Sequence, residues 1–347
     1  MTKLPTLFTR AVLLALTALT LFSCADDEAV PSAPPAHSLT DFCIINQGNY
    51  YDNIAGTLQL ADGHTLTLGD APQNGVILDT CLYVPCYASS DLAVISLRTA
   101  AIVRRVRLTA PQCICTDGRK LYVTQGDGTL AAIDPATSAI DTLPLAGATP
   151  YALVASRGKL YINCGNPADG LRTDNRVMVI DTRTLSLEKT VEVGINPYDQ
   201  MAVDADGNIY TVCLGNYPAT PEIWQITPDG STSPYATGNL IAADGHTLYA
   251  IREEADFSTW PDVHATVTYT SIDTRTGQSS PLVLSGRQLP PYPSCLAVSP
   301  AGHLYIGSDA AAGNYNTPGT LHVFTPDGTQ LSTRATGSHP YAIVFPQ

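Results

Sequence analysis

The chain has 347 residues, 44% of them hydrophobic, with 18 Lys or Arg against 31 Asp or Glu and a formal net charge of −13. That balance, with no Lys/Arg run to offset it, makes nucleic acid and anionic lipid poor partners. The length allows one large closed domain with a sizeable core.

The first 23 residues read as an export signal. Lys3 and Arg10 give a basic start, Ala11 to Phe22 is mostly apolar, and Ser23-Cys24 closes it. The apolar run is too short and too early for a spanning helix. A small residue followed by Cys resembles the bacterial lipobox, which implies acyl chains on Cys24 and firm membrane attachment. Asp26, Asp27 and Glu28 follow at once. That acidic cluster resembles the surface-export signal of lipoproteins in the Bacteroidota, so the outer leaflet facing outward is expected. A solvated tether on a periplasm-facing lipoprotein is the plainer alternative. Residues 24–39 are read as the tether, since Pro and small residues from Ala29 to Leu39 cannot build a packed element. The leader carries no acidic residue, so its removal leaves the chain more negative still.

Residues 40–347 carry a repeat. A Leu/Ile-Tyr pair opens a hydrophobic run at Tyr83, Tyr122 and Tyr161, each 39 residues apart, then at Tyr210, Tyr249 and Tyr305 after 49, 39 and 56. A step of 39 back from Tyr83 reaches Ile44 in Phe42-Cys43-Ile44-Ile45. A period near 40 with several short strands per unit is a propeller signature. One unit reads as a strand at Pro150–Ala155, a Gly turn, a strand at Leu160–Asn163, a third at Val177–Asp181 and a fourth at Glu188–Val193. The expected fold is all-β: a seven-bladed propeller of four-stranded antiparallel blades. The segment Pro340–Phe345 copies a first strand and then the chain stops, whereas the run at Ile44 has no first strand before it. The two are expected to complete one blade and remove the open edges.

In such meanders the loop entering strand one and the loop between strands two and three share a face. Gln47-Gly48-Asn49-Tyr50-Tyr51, Gln125-Gly126-Asp127, Leu214-Gly215-Asn216-Tyr217 and Gly313-Asn314-Tyr315 all follow second strands. The extra length of two repeats falls there too, at Asn166–Asn175 and Arg252–His264. Long loops of this kind usually bind something. The ligand-binding candidates are Asn49, Tyr50, Tyr51, Tyr87, Gln125, Asp127, Asn166, Arg172, Tyr198, Asn216, Tyr217, Trp260, Asn314, Tyr315 and His339. Tyr with Asn and Gln suits a large ligand that is partly apolar and polar at its edge. The plain reading is that Gly and Asn serve left-handed turns and that Tyr fills space between blades. Tyr151, Tyr198, Tyr292 and Tyr341 begin first strands and read equally as wedge packing or pore-mouth contacts.

Catalysis is disfavoured. His64, His246 and His303 sit in turns of the opposite face, His37 in the tether and His322 on a strand, leaving His339 and His264 for the loop face. No base with an orienting partner can be assembled, and no Gly-x-Ser-x-Gly elbow or phosphate loop occurs. Asp204-Ala205-Asp206-Gly207-Asn208 opens like a calcium loop but occupies a blade turn and lacks the closing Glu. Glu253, Glu254 and Asp256 are a better cation candidate, though no metal site is expected. Eight cysteines follow Cys24. Most read as small buried residues, with at most two disulfides, Cys164–Cys213 being the most testable.

Ile44-Ile45-Asn46-Gln47-Gly48-Asn49-Tyr50, followed by Ile54-Ala55-Gly56-Thr57-Leu58, resembles the first blade of YncE-like propeller lipoproteins of gut Bacteroidota. The Pro-Tyr strand starts and the turn Val179-Ile180-Asp181-Thr182-Arg183-Thr184 agree with it. The best-understood members bind cobalamin at the cell surface and hand it to a TonB-dependent outer-membrane transporter. The resemblance therefore implies a non-enzymatic, lipid-anchored surface protein that captures cobalamin or a related corrinoid as a transported ligand, with no resident cofactor. A glycan-binding or adhesion propeller is the alternative. A propeller lyase or lactonase would be revived if His339, His264 and the acids from Glu253 to Asp256 clustered in one pocket.

Overall fold

A computed structural model describes residues 41–165, 173–216, 219–256 and 264–346, without the side chains of 255, 256 and 264. These residues lie in one compact unit, Ala36–Gln347. Its strands form seven four-stranded antiparallel sheets. Cys24, Asn166, Arg172, Tyr217 and Trp260 lie outside the described residues.

Blade 1 joins the two ends of the chain. Its first strand is Pro340–Val344, followed by Cys43–Asn46, Gly56–Leu60 and Thr65–Gly69. Cys43 pairs with Val344 and Ile45 with Ala342, so the last strand closes the ring through the first, as expected. The other six sheets are consecutive meanders from Val76–Leu78 in blade 2 to Gln330–Ser338 in blade 7. Closure gives every blade its four strands, so the faces pack between neighbours and only the short inner and outer strands keep an edge.

The Leu/Ile-Tyr repeat has a physical cause. Tyr122 and Tyr210 are fully buried in the wedges between blades. Their hydroxyls donate to Asp117 (3.0 Å) and Asp204 (3.1 Å), in the turns joining strands one and two. Each ring fills a wedge while its polar end is satisfied by the turn carboxylate. That use accounts for the calcium-like Asp204 sequence, whose carboxylate also accepts from the Asn208 backbone and side chain, each at 2.9 Å.

First strands depart from the expected regularity. In blade 5 the ladder jumps from Pro197–Cys213 to Met201–Thr211, leaving Tyr198, Asp199 and Gln200 off register. Blades 3 and 7 show similar shifts after Pro111 and Pro293. Such bulges turn side chains away from the sheet plane, here toward the ring axis. In blade 4 the strand accordingly begins at Leu153 rather than Pro150.

All eight described cysteines are free thiols, within the expectation of at most two disulfides, and the pair singled out, Cys164–Cys213, is not bonded. Cys164 packs with Leu153 and Met178, whereas Cys213 packs with Tyr161 and Val179, one wedge further round the ring. Equivalent sequence positions do not share a cleft. Burial raises the thiols of Cys43, Cys164, Cys213 and Cys295 to about 12. A thiol titration of the chain from Ala36 should therefore yield about eight thiols after unfolding, and far fewer at comparable times in the native state. Six or fewer in the unfolded, unreduced protein would mean a disulfide exists.

Candidate functional site

The loop-face turns are built as the plain reading requires. Gly48, Gly215 and Gly313 have φ of +69°, +67° and +63°, a region that favours glycine. A Cβ on Gly48 would also strike the Ile54 carbonyl. The asparagines that follow are largely committed to structure. Asn49 Oδ1 accepts from Tyr51 N (3.2 Å), and its Nδ2 donates to Asn316 Oδ1 (2.7 Å) and Asp52 (3.0 Å). Asn314 Oδ1 accepts from Asn316 N at 3.0 Å. These bonds tie the loops of blades 1 and 7 together. Asn216 is exposed in its turn.

Gln125 is likewise turned to structural use. It is buried, accepts from Thr109 N (2.7 Å) and donates to Thr129 Oγ1 (2.8 Å). Asp127 caps the same turn through Thr129. Both line a groove of about 450 Å³ with Arg107 and Ile140, separate from the cavity described next.

That cavity holds three of the expected residues, Tyr198, Tyr315 and His339. Its volume is about 790 Å³, and Asp199, Asn239, Glu253, Tyr292 and Asp309 share the lining. Blades 1, 5, 6 and 7 contribute. Tyr50 and Tyr51 form a stacked pair with ring centroids 4.0 Å apart, and Tyr51 is 78% exposed. Tyr87 lies close enough to bear on both Tyr50 and Tyr198.

His339 occupies a left-handed position (φ +52°) immediately before Pro340. The same conformation precedes Pro72, Pro111 and Pro197, at Ala71 (+50°), Ala110 (+43°) and Asn196 (+56°). The backbone strain is thus a device of the fold and carries no functional weight by itself. What distinguishes His339 is its side chain. Nδ1 lies 3.1 Å from each carboxylate oxygen of Asp309, and Tyr315 packs on the ring at a tilt of 51°, with centroids 4.2 Å apart. Glu253 faces the same space, its carboxyl raised by burial and then by the Asp309 charge. His339 and Glu253 therefore share a pocket, which meets only part of the condition for reviving catalysis: Glu254 is not in its lining, and the side chains of Asp256 and His264 lie outside the described residues. His64, His246 and His303 lie in turns of the opposite face, as expected. Among the described residues no cluster of three or more His, Cys, Asp or Glu could hold a metal ion.

Below the mouth is a lumen of about 330 Å³, lined by first-strand residues of all seven blades. Asn74, Cys113, Ala152, Asp199, Ile241, Cys295 and Ala342 contribute to this wall. Asp199 belongs to both cavities and marks the neck between them. Burial raises its carboxyl to about 6. Sequence reasoning missed Asp199 and Asp309. Asp199 was nonetheless signalled: the second residue after the strand-opening Pro is Asn74, Cys113, Ala152 or Ala342 elsewhere, and Asp only in blade 5.

No family model matches the chain, and no curated protein matches its sequence. Among solved structures it is similar to hydrazine synthase of Kuenenia stuttgartiensis (16% identity, 78% of this chain and 88% of that one, TM-score 0.63). It is also similar to a quinonprotein alcohol dehydrogenase-like protein of Bacteroides thetaiotaomicron (15%, 88% and 78%, TM-score 0.59). Apo AztD from Citrobacter koseri is a third (12%, 88% and 97%, TM-score 0.51). At such identities the likeness shows the propeller fold alone.

Proposed function

We propose that the protein is a binding propeller that captures a large organic nutrient at its loop face. Lipid on Cys24 would hold it at the outer surface of the outer membrane, where it passes the ligand to a TonB-dependent transporter. The observation supporting capture is the open, roughly 790 Å³ cavity with tyrosines on its walls and polar groups converging on it. That volume lies within the usual range for sites of cofactor-sized molecules. Cobalamin or a related corrinoid is the first candidate, because hydroxyls and amides at the rim suit an amide-rich edge, and the exposed Tyr50–Tyr51 pair extends the apolar contact.

Calorimetric titration of the chain from Ala36 with cyanocobalamin tests this directly. Saturable one-to-one binding is expected, and Tyr315→Ala should weaken it about 10-fold while the melting temperature moves by no more than about 2 °C. Absence of heat at micromolar protein would remove corrinoids and direct the search to a glycan panel. A large drop in melting temperature for Tyr315→Ala would mark that residue as packing.

One observation favours a second reading, that of an acid–base catalyst. The Asp309 carboxylate orients His339 as it would a general base, with Glu253 in the same cavity. Turnover of a lactone panel that is lost in both His339→Gln and Asp309→Asn would favour the lyase or lactonase; activity insensitive to both would dismiss it.

A further inference from the structure

Asp199 is a carboxylate with no opposite charge to answer it, its hydrogen bonds running to its own backbone and to the Gln200 side chain. The residues lining the lumen include no Lys, Arg or His, and Asp199 is the sole acid among them. It makes none of the ion pairs found among the described residues. Protein surrounds it, yet part of its surface stays open to the hollow. A charge taken out of water without a partner is costly, and proteins ordinarily pair it or replace it. Here the bulge after Pro197 turns it toward the axis instead.

Aromatic rings stand round it. Tyr151 and Tyr198 stack with centroids 4.3 Å apart, and the Tyr151 hydroxyl donates to Gln73 Oε1 at 3.3 Å. Tyr341, from the closing strand, pairs with Tyr151 through its hydroxyl. The Asp199 charge bears on Tyr198, Tyr341 and Cys113 alike. One carboxylate beside the side chains of Tyr198 and Tyr341, with phenol oxygens as further acceptors, is chemistry that suits an organic cation. A hard metal ion wants six or more oxygens or a cluster of ligands, which this neck lacks. The wall below mixes polar groups such as Asn74 and Gln200 with Ile114, Leu153, Met201, Leu296 and Ile343, and the apolar part accommodates a short alkyl chain.

We propose that the neck around Asp199 is a binding site for a protonated primary amine, the ammonium on the carboxylate and its carbon chain in the lumen or the mouth. The inference shares with the capture reading only the loop face as the side of entry, and it holds whether or not a corrinoid occupies the mouth. An amine-bearing nutrient would seat its charged end here, and a corrinoid above would leave the neck free.

The test is calorimetric titration of the chain from Ala36 with n-butylamine, with n-butanol and calcium chloride as controls. At pH 8 saturable binding of the amine is expected, with none of the alcohol. Asp199→Asn should weaken it by about 10- to 100-fold, the worth of one charge-assisted hydrogen bond. In the wild-type protein, binding should fade as pH falls through about 6 and Asp199 takes up a proton. That second readout needs no variant to fold. Absence of amine binding at millimolar concentration, equal binding by wild type and Asp199→Asn, or calcium binding in place of amine would each overturn the site. Cyanocobalamin titrated in parallel separates the two ideas, since its binding can persist when the amine site fails, and the reverse.

Discussion

Deletion of residues 340–347 is expected to cost the propeller most of its stability. The last strand supplies the inner edge of blade 1, pairing along Cys43–Asn46. Its Ile343 packs with Phe42, Ile44, Leu321 and Val323, and Phe345 meets Tyr305 edge-on at 4.9 Å. Ala342 and Val344 close the other side, against the cluster of Cys43, Ile45 and Leu58. Losing three large apolar side chains at about 1.5 kcal/mol each, since they are partly buried, and several ladder bonds at about 1 kcal/mol each removes roughly 7 kcal/mol. Whole domains hold only about 5–15 kcal/mol. Urea unfolding followed by circular dichroism should show the midpoint collapse or the native baseline vanish. A circular permutant that places Pro340–Phe345 directly before Asp41 should restore it, because the closing strand then remains in place. A truncated chain with an unchanged midpoint would show that six complete blades suffice.

Asp199→Asn is expected to stabilise the free protein, and only at neutral or alkaline pH. The carboxyl is held at about 6, above its ordinary 3.8, because burial penalises the charged form. Between those values the folded chain keeps a proton that the unfolded chain has lost. Stability from this group is therefore greatest below about pH 4, declines as pH rises through about 6, and stays reduced beyond. The shift corresponds to at most about 3 kcal/mol, and to less where the lumen admits water. With the amide in place the pH 8 melting temperature should rise by up to about 4 °C, while at pH 4 the two proteins should melt together. A variant that melts lower at pH 8 would mean that the charge is already satisfied inside the ring. Adding amine should reverse the order, since only the wild type would gain from it.

The architecture was legible because its causes are local and repeated. Six blades pack a second-strand Tyr into an apolar cluster, with those of blades 3 and 5 anchored to a turn carboxylate, and blade 1 uses Ile44, so the spacing counts the blades. The orphan strand at each end identified the closure for the same reason. The candidate site was legible only in part. That Tyr198, Tyr315 and His339 would share a cavity followed from which loops share a face. The commitment of Asn49 to Asn316, 267 residues away, could not follow, because a hydrogen bond between distant loops leaves no spacing to read. Gln125 was misjudged through its neighbours: a polar residue in a glycine-rich loop looks available until the backbone groups it serves are known. The cysteine pairing failed because equivalent positions on successive blades look adjacent in sequence although each faces a different cleft. The bulge that exposes Asp199 to the axis is a register event, visible in sequence only as an Asp where sister blades carry small or neutral residues.

The seven residues of the lumen wall amount to the numerals of a dial. Asn74, Cys113, Ala152, Asp199, Ile241, Cys295 and Ala342 come from successive blades and face one shared hollow. The carboxylate belongs to blade 5 through the residue that stands there and the bulge after Pro197 that turns it inward. Ala152→Asp combined with Asp199→Ala moves the charge one-seventh of a turn, to a seat beneath a different arc of loops. The ring can thus change what it holds, and from which direction, by rotating its chemistry while its architecture stands still.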